Sequence, residues 1–304
     1  MQRLSFQDEI ARNKRNSIVL IASAIVFLIG LVYFFGYIFA PGYLLFILPF
    51  ASIFVLIYIY GDYMYGDRIV LSAVHAQPAE GREYQYLRDT VEGLSIAAGI
   101  PPPKIYVMQS DEINAFATGR DPQHASVAVT TGALSNLNRQ ELEGVLAHEL
   151  SHVRNRDILF ATLIAVVVGL AAIISQIILR SFLWGGGPRG RSDERRGGGG
   201  LPIVIIIIIG LILAVVAPLL VRLIQFAISR RREYLADASG AELTRYPEGL
   251  ASALEKIMNR NKSNMDVSEA VSHLFFTDPR RTSLDSLFDT HPPIAERIKR
   301  LRAM

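Results

Sequence analysis

The sequence predicts a mainly helical α+β protein that is integral to a membrane. Long uncharged hydrophobic blocks alternate with polar segments, and one polar segment combines helical spacing with two short strand patterns. The chain has 304 residues, of which 51% are hydrophobic, and its mean hydropathy is +0.30. Soluble domains rarely reach this apolar content, and here the excess is gathered in blocks. We therefore expect four hydrophobic helices and one polar domain.

The hydrophobic blocks approach or reach the length that crosses a bilayer, which is about 20 residues. They cover residues 17–40, 43–60, 158–179 and 201–221. Pro41 and Gly42 leave only a tight turn between the first two blocks, so residues 1–60 are predicted to form a two-helix membrane hairpin. The other two blocks form a second pair of membrane helices, residues 158–228, whose connecting loop at 183–200 is rich in glycine and arginine.

Basic residues beside the blocks predict the orientation in the membrane. Those before the first block favour a cytoplasmic N-terminus: Arg3, Arg12, Lys14 and Arg15. Four crossings then place residues 61–157 and 229–304 in the cytoplasm, as two parts of one domain. The arginines of the loop at 183–200 disagree, because this topology places that loop outside. The net charge of only +3, with basic residues near the blocks, favours contact with a lipid bilayer and no nucleic-acid partner.

The polar segment that follows the hairpin shows α+β patterning. A helical pattern ends before Gly99, and strands are predicted at Lys104–Gln109 and Ser126–Thr131. Asn138 is expected to cap the next helix, with Glu141 at the third position completing a capping box.

That helix carries the chain's most informative motif. His148 and His152 lie four positions apart, so both imidazoles can reach one metal ion, and Glu149 is close enough to take a proton from a water molecule. The alternative is a helix with two surface histidines. No cysteine is present, which excludes disulfides, thiolate ligands and a cysteine nucleophile. Three further histidines lack ligand spacing and are expected to be surface or hydrogen-bonded residues: His75, His124 and His273.

A third metal ligand is predicted from Glu233. It lies about 8 Å beyond residue 228, where the last membrane helix is predicted to end, and His152 lies about 9 Å before the third block, if the helices are continuous. Two histidines and one glutamate form a catalytic zinc set with an open position. Asp237, one turn further on, is expected to orient a ligand imidazole. The alternative is that both acidic residues pair with neighbouring arginines on a solvated helix.

These motifs together resemble the HtpX-type membrane zinc endopeptidases, which are relatives of the CAAX prenyl proteases and the Oma-type mitochondrial proteases. The resemblance covers nearly the whole chain. Besides the two pairs of hydrophobic blocks, it rests on Asn114–Gly119, His148–His152, Glu233–Asp237 and Asp289–Pro293.

The resemblance implies one Zn²⁺ per chain, bound by His148, His152 and Glu233, with Glu149 as the general base. The spacing of these residues and the resemblance both indicate hydrolysis of a peptide bond by a zinc-activated water molecule. His291 is a candidate donor to the oxyanion, since the resemblance implies a histidine lining the site; its alternative is an exposed residue before a helix.

The resemblance also implies where substrate binds. Asn114, Ala115, Phe116 and Ala117 match the edge strand along which these proteases place an extended substrate. Asn114 alone is equally compatible with an ordinary turn residue.

The leading hypothesis is a zinc endopeptidase in a bacterial or archaeal cell membrane that cuts misfolded membrane proteins and unfolded polypeptides at the cytoplasmic face. The quality-control role follows only from the resemblance. A prenyl-protein protease is a second hypothesis, although that architecture has seven spans and this chain offers four. A non-catalytic membrane scaffold with a relic zinc site is a third, and the intact Glu149 argues against it.

Overall fold

The computed structural model describes residues 44–163, 230–262, 264–279 and 292–304, with five isolated positions before residue 44. Several predicted features lie outside the described residues. These are the first and fourth hydrophobic blocks, most of the third, the loop at 183–200, and His291.

The described chain is mainly helical with one small sheet, as the sequence predicts. The helices are α1 (Leu44–Ala73), α2 (Gln85–Ala98), α3 (Thr131–Asn136), α4 (Arg139–Arg154), α5 (Arg230–Thr244), α6 (Pro247–Arg260), α7 (Glu269–Ser272) and α8 (Ile294–Leu301). The strands are β1 (Gln77–Pro78), β2 (Lys104–Met108), β3 (Ala115–Gly119) and β4 (Ala125–Thr130). Residues 157–163 are also helical.

The sheet has the strand order β1-β2-β4-β3, so β3 is an edge strand. β2 runs parallel to β4, and the other two pairs are antiparallel. Both predicted strands are confirmed to within a residue as β2 and β4. The register pairs Ala117 with Val127, and the alternation of an antiparallel ladder then directs the backbone N–H and C=O of Ala117 away from β4.

The motif helix α4 lies at the centre of the domain, against α5, α6, α2 and β3. Its capping box is confirmed: Glu141 donates its backbone N–H to the Asn138 side chain at 3.0 Å, and its carboxylate accepts the Asn138 N–H at 2.7 Å. Leu146, Leu150 and Val153 are fully buried on this helix. A buried α4 excludes the alternative of a helix with two surface histidines.

Two glycines allow the neighbouring helices to approach the backbone of α4. A Cβ atom on Gly240 of α5 would lie 3.0 Å from the backbone nitrogen of His148. A Cβ atom on Gly144 of α4 would lie 2.7 Å from the backbone nitrogen of Leu250 in α6. Both separations are shorter than ordinary van der Waals contact, so glycine sets the distance between these helices.

Helix α1 extends the second hydrophobic block well beyond residue 60, where the sequence places the end of the hairpin. Within the described residues, one helix is long and apolar enough to cross a membrane, Leu48–Ala73. Apolar side chains of α1 such as Leu45 and Phe50 are exposed, at 89% and 75%. Its last turns pack into the domain instead, where Val70 and Leu71 join a cluster with Phe116 of β3. The second hydrophobic block is thus connected to the sheet through α1.

The motif helix and the third hydrophobic block do not form the single rod that a continuous helix would give. Helix α4 ends at Arg154, and Arg156 adopts a left-handed conformation with φ 59° before helical residues resume at 157. The Arg156 N–H bonds to the Val153 carbonyl at 3.1 Å, which tightens the last turn. This break turns Asp157 back toward His152.

Candidate active site

Two histidines from α4 and one glutamate from α5 converge on a single point. The Nε2 atoms of His148 and His152 are 3.2 Å apart, and they lie 3.7 Å and 3.5 Å from the Glu233 carboxylate oxygens. With zinc–ligand distances of about 2.0–2.2 Å, tetrahedral ligand atoms are separated by roughly 3.3 Å. The three side chains therefore have the chemistry and the spacing to hold a zinc ion.

The hydrogen bonds of the two imidazoles also fit a cation at this point. His148 donates its Nδ1–H to Asp237 at 2.9 Å, and His152 donates its Nδ1–H to Asp157 at 3.1 Å. In the neutral form that binds a metal, each ring presents an Nε2 lone pair to the other ring. Two lone pairs cannot hydrogen-bond to each other, whereas both can bind one metal ion.

Asp237 lies behind His148, as the sequence predicts for a residue that orients an imidazole. The buried guanidinium of Arg297, from α8, binds both Asp237 oxygens at 2.9 Å and 2.7 Å. Glu233 and Asp237 are only 4% and 2% exposed. This burial excludes the alternative of two acidic residues on a solvated helix, and the arginine that pairs with Asp237 is distant in sequence.

His152 has an equivalent support that sequence analysis missed. Asp157 accepts from His152 through one oxygen and lies 3.4 Å from Arg232 Nη1 through the other. Arg232 also lies over the Phe160 ring, 5.0 Å from its centroid. Arg232 precedes the ligand Glu233 in sequence, and Asp157 follows the helix break, so this pair joins the two ends of the site.

The electrostatics of the site favour a positive charge between the imidazoles. Burial lowers the pKa of His148 to about 4, against the opposing effect of the hydrogen bond that His148 donates to Asp237. Burial also opposes protonation of His152, but the hydrogen bond to Asp157 and the charges of Glu233, Asp157 and Glu149 raise its pKa to about 9. The surrounding carboxylates therefore attract a cation, and a divalent metal ion satisfies both rings and Glu233 at once.

Burial raises the pKa of Asp237, but the charge of Arg297 and the hydrogen bonds from His148 and Arg297 outweigh it and lower the pKa to about 2. Asp237 is therefore ionised at neutral pH and remains an acceptor for the imidazole.

Glu149 lines the same cleft as the three ligand residues and is 2% exposed. It belongs to α4 but is not one of the residues whose atoms converge on the metal position. The structure thus places it beside the position where a water molecule reacts, and its role as general base stays a prediction.

The predicted substrate strand is β3, and its residues have different environments. Ala117 lines the cleft, and the preceding residue, Phe116, forms an antiparallel bridge with Phe275. Asn114 is 1% exposed and holds the neighbouring segment: its amide donates to the Thr277 carbonyl at 2.9 Å and accepts the Thr277 N–H at 3.2 Å. Phe276 donates to the Ala115 carbonyl at 2.8 Å. The chain's own segment 275–277 therefore covers β3 from Asn114 to Phe116, and Ala117, the next residue, lines the cleft.

His124 and His273 do not belong to the group of side chains that converge on the metal position, as predicted. His124 pairs with Asp121 at 2.7 Å on the surface. His273 is a hydrogen-bonded histidine, 3.1 Å from the Ala161 carbonyl, but it also lines the cleft, which its sequence position does not indicate.

Arg297 is the most buried charged residue of the site, and sequence analysis missed it. A signal was available: Ile294, Arg297, Ile298 and Leu301 occupy one face of α8, and only Arg297 is charged on that stripe. A charge among apolar residues of a buried face needs a partner, here Asp237.

The buried two-histidine, one-glutamate centre beside a cleft, in a helical domain with a small sheet, defines the class of zinc-dependent metallopeptidases. The profile of Peptidase family M48 matches residues 82–304, and the chain belongs to that family. The enzyme is a membrane-associated zinc metallopeptidase, which confirms the activity and the cofactor expected from the sequence.

Several curated relatives share the family. A "Protease HtpX homolog" of Thermoanaerobacter pseudethanolicus is 46% identical over 304 residues, covering 100% of this chain and 99% of that protein. One of Listeria innocua is 44% identical over 302 residues, covering 98% and 99%. The resemblance to HtpX-type proteases is therefore confirmed.

A solved structure, that of S. mikatae Ste24p, is similar with a TM-score of 0.50 and 22% identity. The match covers 96% of this chain and 66% of that one, and at this identity it shows a shared fold alone.

Proposed function

We propose that this chain is a multi-pass membrane endopeptidase that cuts polypeptides at the cytoplasmic face, with one zinc ion held by His148, His152 and Glu233. The convergence of their ligand atoms, all within 4.8 Å of one another beside a cleft, carries this proposal.

The chain's own residues divide the chemistry between them. Bound zinc supplies Lewis acidity that polarises the scissile carbonyl and makes water more acidic. Glu149 accepts a proton from the attacking water and returns it to the leaving amine. Asp157 and Asp237 keep the two imidazoles in the tautomer that binds metal through Nε2. His291 stays our candidate donor to the oxyanion.

An extended substrate binds along β3 by β-augmentation. Ala117 offers its outward C=O next to the metal ligands, at the point of the edge where the chain's own segment 275–277 ends its pairing with β3. Backbone pairing of this kind recognises an unfolded or extended polypeptide largely independently of its sequence.

The membrane arrangement of the proposal is that predicted from the sequence. Residues 1–60 and 158–228 supply four membrane helices, and the parts 61–157 and 229–304 form the cytoplasmic protease domain. The exposed apolar surface of α1 supports contact with the bilayer. A site so close to a membrane helix favours misfolded membrane proteins as substrates, in protein quality control of a bacterial or archaeal cell membrane.

Glu149→Gln tests the proposal. We expect the zinc-loaded purified enzyme to cleave unfolded casein, and the variant to lose at least about 100-fold in rate while it keeps its zinc, because the amide cannot accept the proton. Glu143→Gln is the matched control, since Glu143 lies on the same helix, is bonded to Arg139 and faces away from the site. Rates are measured by release of fluorescent peptides, and zinc content by atomic emission.

Two results would reject the proposal. A wild-type enzyme that binds zinc but cleaves neither casein nor a membrane protein would indicate a scaffold. Cleavage of a prenylated peptide, without cleavage of the unprenylated form or of casein, would indicate a prenyl-protein protease.

A further inference from the structure

We propose that the cleft beside the metal ligands contains an apolar subsite, which takes one uncharged side chain of medium size from a residue flanking the scissile bond. This inference rests on the proposed function and adds the chemical class of the substrate residue.

The walls of this subsite come from three separate parts of the chain. Ile158 and Ala161 lie one turn apart on the helical residues 157–163 and face the cleft together with Leu274 and Phe275. Ala117 of β3, which also pairs with the substrate backbone, completes the lining. A substrate held along β3 therefore directs a side chain between these apolar walls.

The aromatic residues of the wall are fixed in place. Phe275 packs on Phe116 of β3 with ring centroids 5.0 Å apart, and both are at most 1% exposed. Phe276 is held between His148, whose ring centroid is 4.8 Å away, and Arg297, which lies 4.6 Å over its face. Because Phe275 is buried against Phe116 and Phe276 is held between two side chains, the subsite cannot widen by moving these rings.

A hydrogen bond connects two of the segments that form the walls of the subsite. His273 Nε2 lies 3.1 Å from the Ala161 carbonyl and joins the segment 273–276 to the helical residues 157–163. The distance between these two walls is therefore set by a polar contact as well as by packing. The space between them depends on the small size of Ala117 and Ala161.

The charges around the cleft disfavour a charged substrate residue. Arg232 and Asp157 lie 3.4 Å apart and neutralise each other, and Asp157 also holds His152. Glu149 and Glu233 serve the chemistry and the metal. The walls of the subsite itself, which are Ala117, Ile158, Ala161, Leu274 and Phe275, offer no counter-ion to a charged side chain, whereas an apolar side chain gains from burial.

Ala161→Phe tests the size of the subsite. We expect wild type to cut unfolded casein mainly next to valine, leucine, isoleucine or methionine. Ala161→Phe should shift the preference toward glycine and alanine by about 10-fold or more, as loss of space in an apolar pocket does. Leu159→Phe is the matched control, since Leu159 lies on the same helical residues but outside the cleft lining. Cleavage sites are read by mass spectrometry, and zinc content is measured for each variant.

Leu274→Ala tests the same subsite in the opposite direction. Removing this wall should admit phenylalanine and tryptophan, so the proposal stays testable if Ala161→Phe does not fold.

The two variants separate this inference from the proposed function. Failure of wild type to cleave casein would reject the function. A wild-type enzyme that cleaves, with an unchanged distribution of cleavage sites in Ala161→Phe and Leu274→Ala, would reject the subsite alone. Wild-type cleavage next to charged residues would reject it too.

Discussion

Each metal-binding imidazole of this enzyme is held by a carboxylate that is paired with an arginine. His148 is supported by Asp237 and Arg297, and His152 by Asp157 with Arg232. The carboxylate fixes the tautomer of the imidazole, and at Asp237 the charge of Arg297 also lowers the pKa of the carboxyl group. The four supporting residues come from three helical segments, so the metal site also joins these segments.

Asp157→Asn should weaken zinc binding by about 10- to 100-fold, the usual effect of removing a carboxylate behind a ligand imidazole. The carboxylate of Asp157 only accepts a hydrogen bond from His152 Nδ1–H, whereas an asparagine amide can donate its N–H to Nδ1. Such donation favours the tautomer of His152 that carries its proton on Nε2, the atom that would bind the metal. Asp121→Asn is the control, because Asp121 binds His124 in a similar Asp–His contact at the surface. Competition with a chelator measures the affinity of the purified protein without reference to activity.

An unchanged zinc affinity in Asp157→Asn would show that His152 needs no such support. Equal losses in Asp157→Asn and Asp121→Asn would show that the effect is not local to the site.

For single residues of the site, the sequence predicts those that lie close together in the chain and misses those whose partner is distant in sequence. His148, Glu149 and His152 stand within five positions on one helix, and helical geometry alone places the imidazoles together. Arg297 lies 60 residues from Asp237 and 149 from His148, and only the packing of α8 reveals its partner. Asp157 was missed for another reason: its contact depends on the left-handed Arg156, and no pattern in the sequence predicts that conformation.

The elements of the site are positioned by close contacts between helix backbones. Gly240 lies three positions after Asp237 and against the backbone of His148, so α5 and α4 approach there more closely than side chains would allow. This approach sets the distance from Glu233 to the two imidazoles. The metal site thus depends on a residue that contacts no ligand side chain.

Gly240→Ala should destabilise the protein by about 1–3 kcal/mol, the usual cost of overpacking, and should weaken zinc binding. The added Cβ would lie 3.0 Å from the His148 nitrogen and 3.2 Å from its Cα, so α5 must shift and carry Glu233 with it. Thermal unfolding in detergent, with and without a chelator, measures both effects.

Gly93→Ala is the matched control, since Gly93 also lies within a helix but has nothing within 4 Å of an added Cβ. It should leave zinc binding unchanged. It should also raise the free energy of unfolding by about 0.4–1 kcal/mol, because alanine lowers the conformational entropy of the unfolded chain. If Gly240→Ala kept the stability and the zinc affinity of wild type, the close contact between α5 and α4 would not position the metal ligands.

Element boundaries follow from the sequence where a local signal marks them. Asn138 and Glu141 mark the start of α4, and Gly99, with φ 69°, ends α2 in the left-handed conformation that glycine favours. The end of α1 has no such signal, because its composition changes gradually from membrane-like to domain-like. Its last turns pack against the sheet, and this tertiary contact extends the helix to Ala73.

For the whole molecule, the position of the catalytic domain relative to the membrane decides which substrates reach it. α1 connects the predicted hairpin directly to the sheet that carries β3, and the helical residues 157–163 connect the metal site to the third block. In the proposed topology, in which these blocks enter the bilayer, the cleft lies near the bilayer surface. Which face it occupies depends on the number of blocks that cross the membrane.

The chain contains no cysteine, so single cysteines report the topology without a background. We expect Ser192→Cys, in the loop between the last two blocks, to react with a membrane-impermeant maleimide from outside the cell. Met304→Cys, which is 63% exposed in the domain, should react only after the membrane is opened or inverted. This outcome follows from a cytoplasmic N-terminus and four crossings.

The arginine-rich composition of that loop favours the opposite result, so the experiment decides between two signals in one sequence. Labelling of both cysteines from the same side would show that the last two blocks enter the bilayer without crossing it. The metal site would be unaffected, because α4 and α5 would still leave the membrane on one side. Labelling of Met304→Cys from outside would show that the protein has the opposite orientation in the membrane. Its substrates would then be external segments of membrane proteins.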